Sequence, residues 1–149
     1  MTARDPMQAG AAVLAAEKGL GLPVRLPVIR VRTEQGEVAA FRRETGSIGT
    51  GDFVPLTFPF RWLALSAIRG VILQLLGGEG FVPVHEAQSF VYERGLQIAT
   101  DYLLSVEIEA VEKPRRLILK MAVATAEGEI CTRLETVLRI VQLTSEMAS

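Results

Sequence analysis

The chain holds one histidine, His85, and one cysteine, Cys131. A single imidazole excludes, within one subunit, every mechanism that needs two histidines. A single thiol excludes an internal disulfide and any multi-cysteine metal site. Imidazole gains and loses its proton near neutral pH, so His85 is a candidate general base. The competing role is a strand-edge residue that satisfies a local hydrogen bond. Asp52 is the candidate catalytic carboxylate, although Gly51-Asp52 is also ordinary turn chemistry. Arg61 and Arg69 interrupt an otherwise apolar stretch. Arg61 is a candidate to meet a phosphate or carboxylate, and Arg69 to reach the rim along its aliphatic stem; pairing within the fold is the alternative for both. Around Arg61 stand Thr57, Phe58, Phe60 and Trp62, candidates to line a binding groove, with core packing as the competing role of the aromatics. Cys131 has Arg133 as its one basic neighbour in sequence, which gives no support for a nucleophile. Gly49-Thr50-Gly51 lacks the Lys-Ser/Thr of a phosphate loop, and no dinucleotide fingerprint or metal-ligand spacing occurs, so no cofactor is expected.

These groups sit in a chain of 149 residues, a length that suits one domain. Sixteen basic residues oppose seventeen acidic ones, and no Lys/Arg block stands out, which argues against a nucleic-acid partner. A hydrophobic share of 49% and a mean hydropathy of +0.29 exclude a disordered chain. The richest apolar region, Phe53 to Leu76, is broken by Arg61 and Arg69 and is not a membrane span. Ala9–Ala16 is short, Ala-rich and preceded by Asp5-Pro6, unlike a cleaved signal. The expectation is a soluble cytoplasmic protein with some apolar surface covered by a second subunit.

Three regions are expected: a lead-in over 1–22, either a short helix at Gln8–Lys18 or a frayed terminus, one domain over 23–143, and a tail over 144–149. Pro23–Thr33 reads as a first strand that Pro27 confines to a sheet edge or a bulge. A short helix follows over Glu34–Glu44, then a glycine-rich loop over Thr45–Asp52. A long helix begins at Pro59 after the possible cap Thr57 and stops at Gly77-Gly78. Its Phe60, Trp62, Leu63, Leu65, Ile68, Val71, Ile72, Leu75 and Leu76 cover most of its circumference, which predicts burial on most sides. Then the period changes to two. Val84–Arg94 places Gln88, Phe90 and Tyr92 on one side, and Tyr102–Val111, Arg116–Thr125 and Ile130–Val141 alternate likewise. Such alternation predicts an antiparallel sheet with one dry face. The fold class is α+β: a curved antiparallel sheet wrapped around one long buried helix.

Two stretches carry a family resemblance. VPLTFPFRW, over 54–62, is similar to the "P-x-T-F/Y-P" turn before the long helix of MaoC-like dehydratases and the dehydratases of fatty-acid synthases. VHEAQSFVYERGL, over 84–96, resembles their "H-x-x-x-x-F-x-Y-x-R-P-L" strand, with Gly95 in place of proline and Ala99-Thr100-Asp101 in place of "A-G-D". The resemblance covers roughly Pro23 to Val141 and implies the hot-dog fold. It also implies an acyl thioester ligand, on CoA or acyl carrier protein, whose carbonyl faces the helix start near Phe58, Pro59, Phe60 and Arg61. Free N–H groups there stabilise a developing oxyanion, and Pro59 has none to give.

The same resemblance exposes a gap. Catalytic MaoC-like hydratases place Asp and His in a D-x-x-x-x-H spacing before the helix. Here Asp52 is followed at that spacing by Thr57, with Val54 at the usual asparagine. A second class of hot-dog dehydratases has His-Phe-Pro, and here Thr57-Phe58-Pro59 again has threonine. Threonine cannot act as a base near neutral pH. The reading is a dehydratase-type protein without the Asp/His dyad, acting as a non-catalytic or partner-dependent subunit in a homodimer or a heterodimer with a catalytic hydratase. A hot-dog thioesterase is one alternative; it would rely on Asp52 or Glu79, because Pro59–Leu76 contains no acid. A non-enzymatic acyl-CoA-binding protein is the other.

Overall fold

In the computed structural model the described residues are 23–46 and 51–143. The helix expected at Gln8–Lys18, the tail over 144–149 and part of the Thr45–Asp52 loop lie outside them. Proline sets the form of the first strand. It appears as β1 (Val24–Arg25) and β2 (Ile29–Arg32), separated around Pro27. Both pair antiparallel with β4 (Asp101–Val111): Val24 opposite Ile108, Ile29 opposite Leu104. Proline has no N–H for the ladder, so pairing lapses there and resumes after it. The helix α1 (Gln35–Thr45) ends at Gly46, whose φ of +69° lets its N–H return to the Arg42 carbonyl.

The expected single helix over Pro59–Leu76 is corrected to two. A 3-10 helix spans Phe58–Ala64, and α2 spans Ser66–Leu75. Between them Leu65 is extended, with φ −59° and ψ 139°. The cause is the phase of the apolar residues. Trp62 and Ile68 are both buried, yet six residues of continuous α-helix would leave them about 120° apart around its axis. One extended residue resets the phase so that both enter the core. Leu65 then starts the next helix, its carbonyl accepting from the N–H groups of Ile68 at 3.0 Å and Arg69 at 2.9 Å.

Burial is also one-sided rather than all round. Phe58, Trp62, Ile68, Ile72, Leu75 and Leu76 are buried, whereas Phe60 is 41% and Leu73 56% exposed. Against the dry stripe lies one face of a six-stranded antiparallel sheet with the order β1-β4-β5-β6-β3, β2 sharing β4 with β1. The remaining strands are β3 (Phe81–Tyr92), β5 (Arg116–Thr125) and β6 (Ile130–Gln142). Leu104, Val106 and Ile108 of β4, Leu117, Leu119, Met121 and Val123 of β5, and Leu134 and Ile140 of β6 share one core with the helices. The strand alternation expected from sequence is thus present.

Arg115 fastens the far end of α2. Its Nη2 donates to the Leu75 carbonyl at 2.6 Å, and its guanidinium lies 5.2 Å from the centroid of the Phe81 ring. A cation at a helix C-terminus also meets the negative end of the helix dipole. Gly77, at φ +82°, makes room: a Cβ there would stand 3.3 Å from that guanidinium.

The one-sided burial predicts contrasting costs along α2. Ile68→Ala should destabilise by about 2–5 kcal/mol through lost transfer energy and a cavity. Leu73→Ala should stay within about 0.5 kcal/mol, as exposed positions do. Urea unfolding midpoints of the two variants check this.

Candidate functional site

β3 is the terminal strand of the sheet on the side opposite β1 and β2. Its inner face carries Gln88, Phe90 and Tyr92, opposite Thr136, Leu134 and Thr132 of β6. The segment Leu56–Phe60 runs against this face and touches it at two points. Tyr92 donates its hydroxyl to the Leu56 carbonyl at 2.5 Å. The His85 and Phe60 rings lie 5.2 Å apart, centroid to centroid, tilted by 51°. Between these anchors, the buried Thr136 donates its hydroxyl to the Gln88 amide oxygen at 2.6 Å. The result is a seam with an apolar bank, Leu56 and Phe60, and a polar bank, His85, Gln88 and Tyr92. Burial pushes the Tyr92 hydroxyl up to about 12, so it stays a neutral donor near pH 7.

The start of the 3-10 helix differs from what the resemblance implies. The Phe58 N–H donates to the Pro55 carbonyl at 3.0 Å and the Phe60 N–H to the Thr57 carbonyl at 3.2 Å. Pro59 has no N–H. At this tight start the amides of Phe58 and Phe60 close the preceding turn rather than pointing at a ligand.

The predicted site residues separate into three surroundings. Thr57, Phe60 and His85 are exposed, with Thr57 just before the 3-10 helix and the other two in contact across the seam. Phe58 and Trp62 face the core instead. Phe58 is 1% exposed and meets the Phe41 and Trp62 rings edge-on at 5.3 Å and 5.8 Å. Arg61 lies over the Phe58 ring at 5.2 Å and donates to the Glu37 carbonyl at 3.2 Å, which ties the 3-10 helix to α1. Asp52 stands elsewhere. Its carbonyl accepts from the Ile98 N–H at 2.8 Å, and it borders a hollow of about 710 Å³ with Gln35, Arg42 and Gln97. Arg42 holds this loop by donating to the Phe53 carbonyl at 2.7 Å. Asp52 and His85 therefore belong to different surroundings, not to one dyad.

Gly95, where the family motif has proline, also has a local cause. A Cβ at Gly95 would come within 2.9 Å of the Phe53 ring, so the bare backbone is what lets Phe53 lie there. Arg69 is exposed on α2, and burial pushes the Cys131 thiol up, away from nucleophile behaviour. Sequence reasoning missed the Tyr92–Leu56 bond, the Gln88–Thr136 pair and the ion pair of Glu86 with Arg116. Alternation had already put Gln88 and Tyr92 on one face. Their partners sit 48 and 36 residues away in sequence, where periodicity says nothing.

No helix among the described residues is long and apolar enough to cross a membrane. No protein-family model and no curated protein matches the chain. Solved structures do. The 3R-hydroxyacyl-ACP dehydratase HadBC complex of Mycobacterium tuberculosis, C-terminally truncated, is similar over 79% of this chain and 95% of that one, at 17% identity and a TM-score of 0.56. A hot-dog-like protein from Thermanaerovibrio acidaminovorans matches over 82% of each chain, at 17% identity and a TM-score of 0.57. A probable thioesterase from Bartonella henselae matches over 77% of this chain and 89% of its own, at 11% identity and a TM-score of 0.55. At such identities the likeness speaks to architecture and not to activity. Sheet order, the helical segment on one sheet face and these neighbours agree: the chain has the hot-dog fold.

Proposed function

We propose that this chain is an acyl-thioester-binding subunit of the dehydratase type, without an Asp/His dyad of its own, which works as a non-catalytic or partner-dependent half. The observation that carries this reading is the separation of its acid and base. Thr57 occupies the position of the motif histidine, the lone imidazole of His85 stands on β3 against Phe60, and Asp52 lies with α1 and the 97–99 loop. The acyl chain, on CoA or carrier protein, would lie along Leu56 and Phe60. Its thioester end would meet His85 and Gln88, with Thr57 at the mouth. Phe58, Arg61 and Trp62 then support the groove from behind rather than touching the ligand.

A second subunit completes the groove in this reading, as a homodimer or a heterodimer with a catalytic hydratase. Two features of this side support it. β3 is the terminal strand, and Leu56, Phe60, Val84 and Val91 are all large, apolar and exposed on it or beside it. An edge strand of twelve residues, paired on one side alone among the described residues, is a template for pairing with another chain. The thioesterase reading needs a carboxylate beside the thioester. Asp52, one of the two acids that reading would rely on, borders the hollow beside α1 instead, and Glu86, the acidic neighbour of His85, is bound to Arg116. A soluble location in the cytoplasm fits this proposal.

Calorimetry with a non-hydrolysable acyl-CoA should show binding. Phe60→Ala should weaken it about tenfold, equivalent to about 1.4 kcal/mol, with little change from Arg69→Ala. Crotonyl-CoA hydration should be absent for the chain alone and present with a catalytic partner. Activity of the isolated chain that vanishes in Asp52→Asn would overturn the non-catalytic assignment. Sedimentation should show a dimer at micromolar concentration, and Val84→Lys with Val91→Lys should shift it to monomer, since charge at a strand edge opposes pairing.

A further inference from the structure

One residue breaks the alternation of β3. His85 stands opposite Leu138 and Ala87 opposite Val137, so Glu86 is an extra residue with no partner on β6. In an unbroken strand residue 85 would share a face with 87, 89 and 91, turned away from the helices. An inserted residue reverses the faces on one side of it. Pro83 and His85 therefore fall on the same side as Gln88, Phe90 and Tyr92, and the His85 ring reaches Phe60.

The bulge is also clamped. The Glu86 carboxylate accepts from Arg116 Nε at 2.9 Å and from Arg116 Nη2 at 2.7 Å, a two-pronged pair. Arg116 belongs to β5 and stands opposite Arg139 of β6, which in turn stands opposite Val84 of β3. The ion pair thus reaches across β6 and fastens the edge strand to the middle of the sheet. It also places a negative charge beside two neighbouring arginines, and both favour the ionised carboxylate. Parallel N–H···O bonds fix direction as well as distance.

We propose that Glu86 is the positioning residue of the site: its bulge, held by Arg116, turns the His85 imidazole into the Phe60 seam. This rests on the reading that His85 faces the acyl groove, and it concerns the unliganded protein alone. The lone histidine supplies the probe, because all imidazole signals in an NMR spectrum come from His85. The unliganded full chain should show a nuclear Overhauser contact between the His85 and Phe60 rings. Deleting Glu86 should preserve it, because Ala87 then follows His85 directly and both keep their β6 partners in regular alternation. Glu86→Ala should weaken it, and the exchange Glu86→Arg with Arg116→Glu should restore it. Should the deletion variant fail to fold, the alanine variant and the exchange decide. A contact that is lost in the deletion variant, or is unchanged by Glu86→Ala, overturns the proposal. Loss of acyl-CoA binding in wild-type protein with the ring contact intact would count against the groove reading and leave this one standing.

Discussion

One constraint governs this chain: a short helical segment has a single apolar stripe that must be dried against a single face of a sheet. Ile68, Ile72 and Leu75 supply that stripe in α2, and Phe58 and Trp62 extend it into the 3-10 helix. At roughly 1.5–3 kcal/mol for each large side chain buried, keeping all five inside outweighs one extended residue at Leu65. The break in the helix follows from the stripe, and so does what remains outside. With Phe58 committed to the core, Phe60 is turned to the surface and meets β3.

That division gives the site its character. The inward Phe58 and Trp62 are structural, and the outward Thr57 and Phe60 are the ones our proposal gives to a ligand. Arg61, the charge most suggestive of a ligand contact in sequence, is tied to the Phe58 ring and the Glu37 carbonyl. The polar groups of the seam come from β3 instead, fixed by Tyr92, Gln88 and the Glu86 bulge. Among the described residues this strand is paired on one side alone, the side facing β6.

Much of this was legible from residue order. Period-two alternation placed the inner faces of β4, β5 and β6, and Pro27 marked the interrupted edge strand, because both signals are local. The Leu65 break was not legible: nothing short-range distinguishes an apolar run of one helix from that of two, and only the shared core requires the new phase. His85 and Asp52 were identifiable as chemistry-bearing residues, but their separation depends on pairings of Phe53 with Gln97 and of β3 with β6. The bulge at Glu86 was hidden for a related reason. Its clamp lies 30 residues away on β5, beyond the reach of any pattern along β3.

The account stands or falls on where an acyl chain lies. A crystal structure of the protein with an acyl-CoA thioether analogue tests this directly. The account predicts the chain against Leu56 and Phe60, the sulfur within reach of His85, and the groove closed by a second subunit along β3. An analogue seated in the hollow beside Asp52 and Arg42, with the Phe60 seam empty, would contradict it.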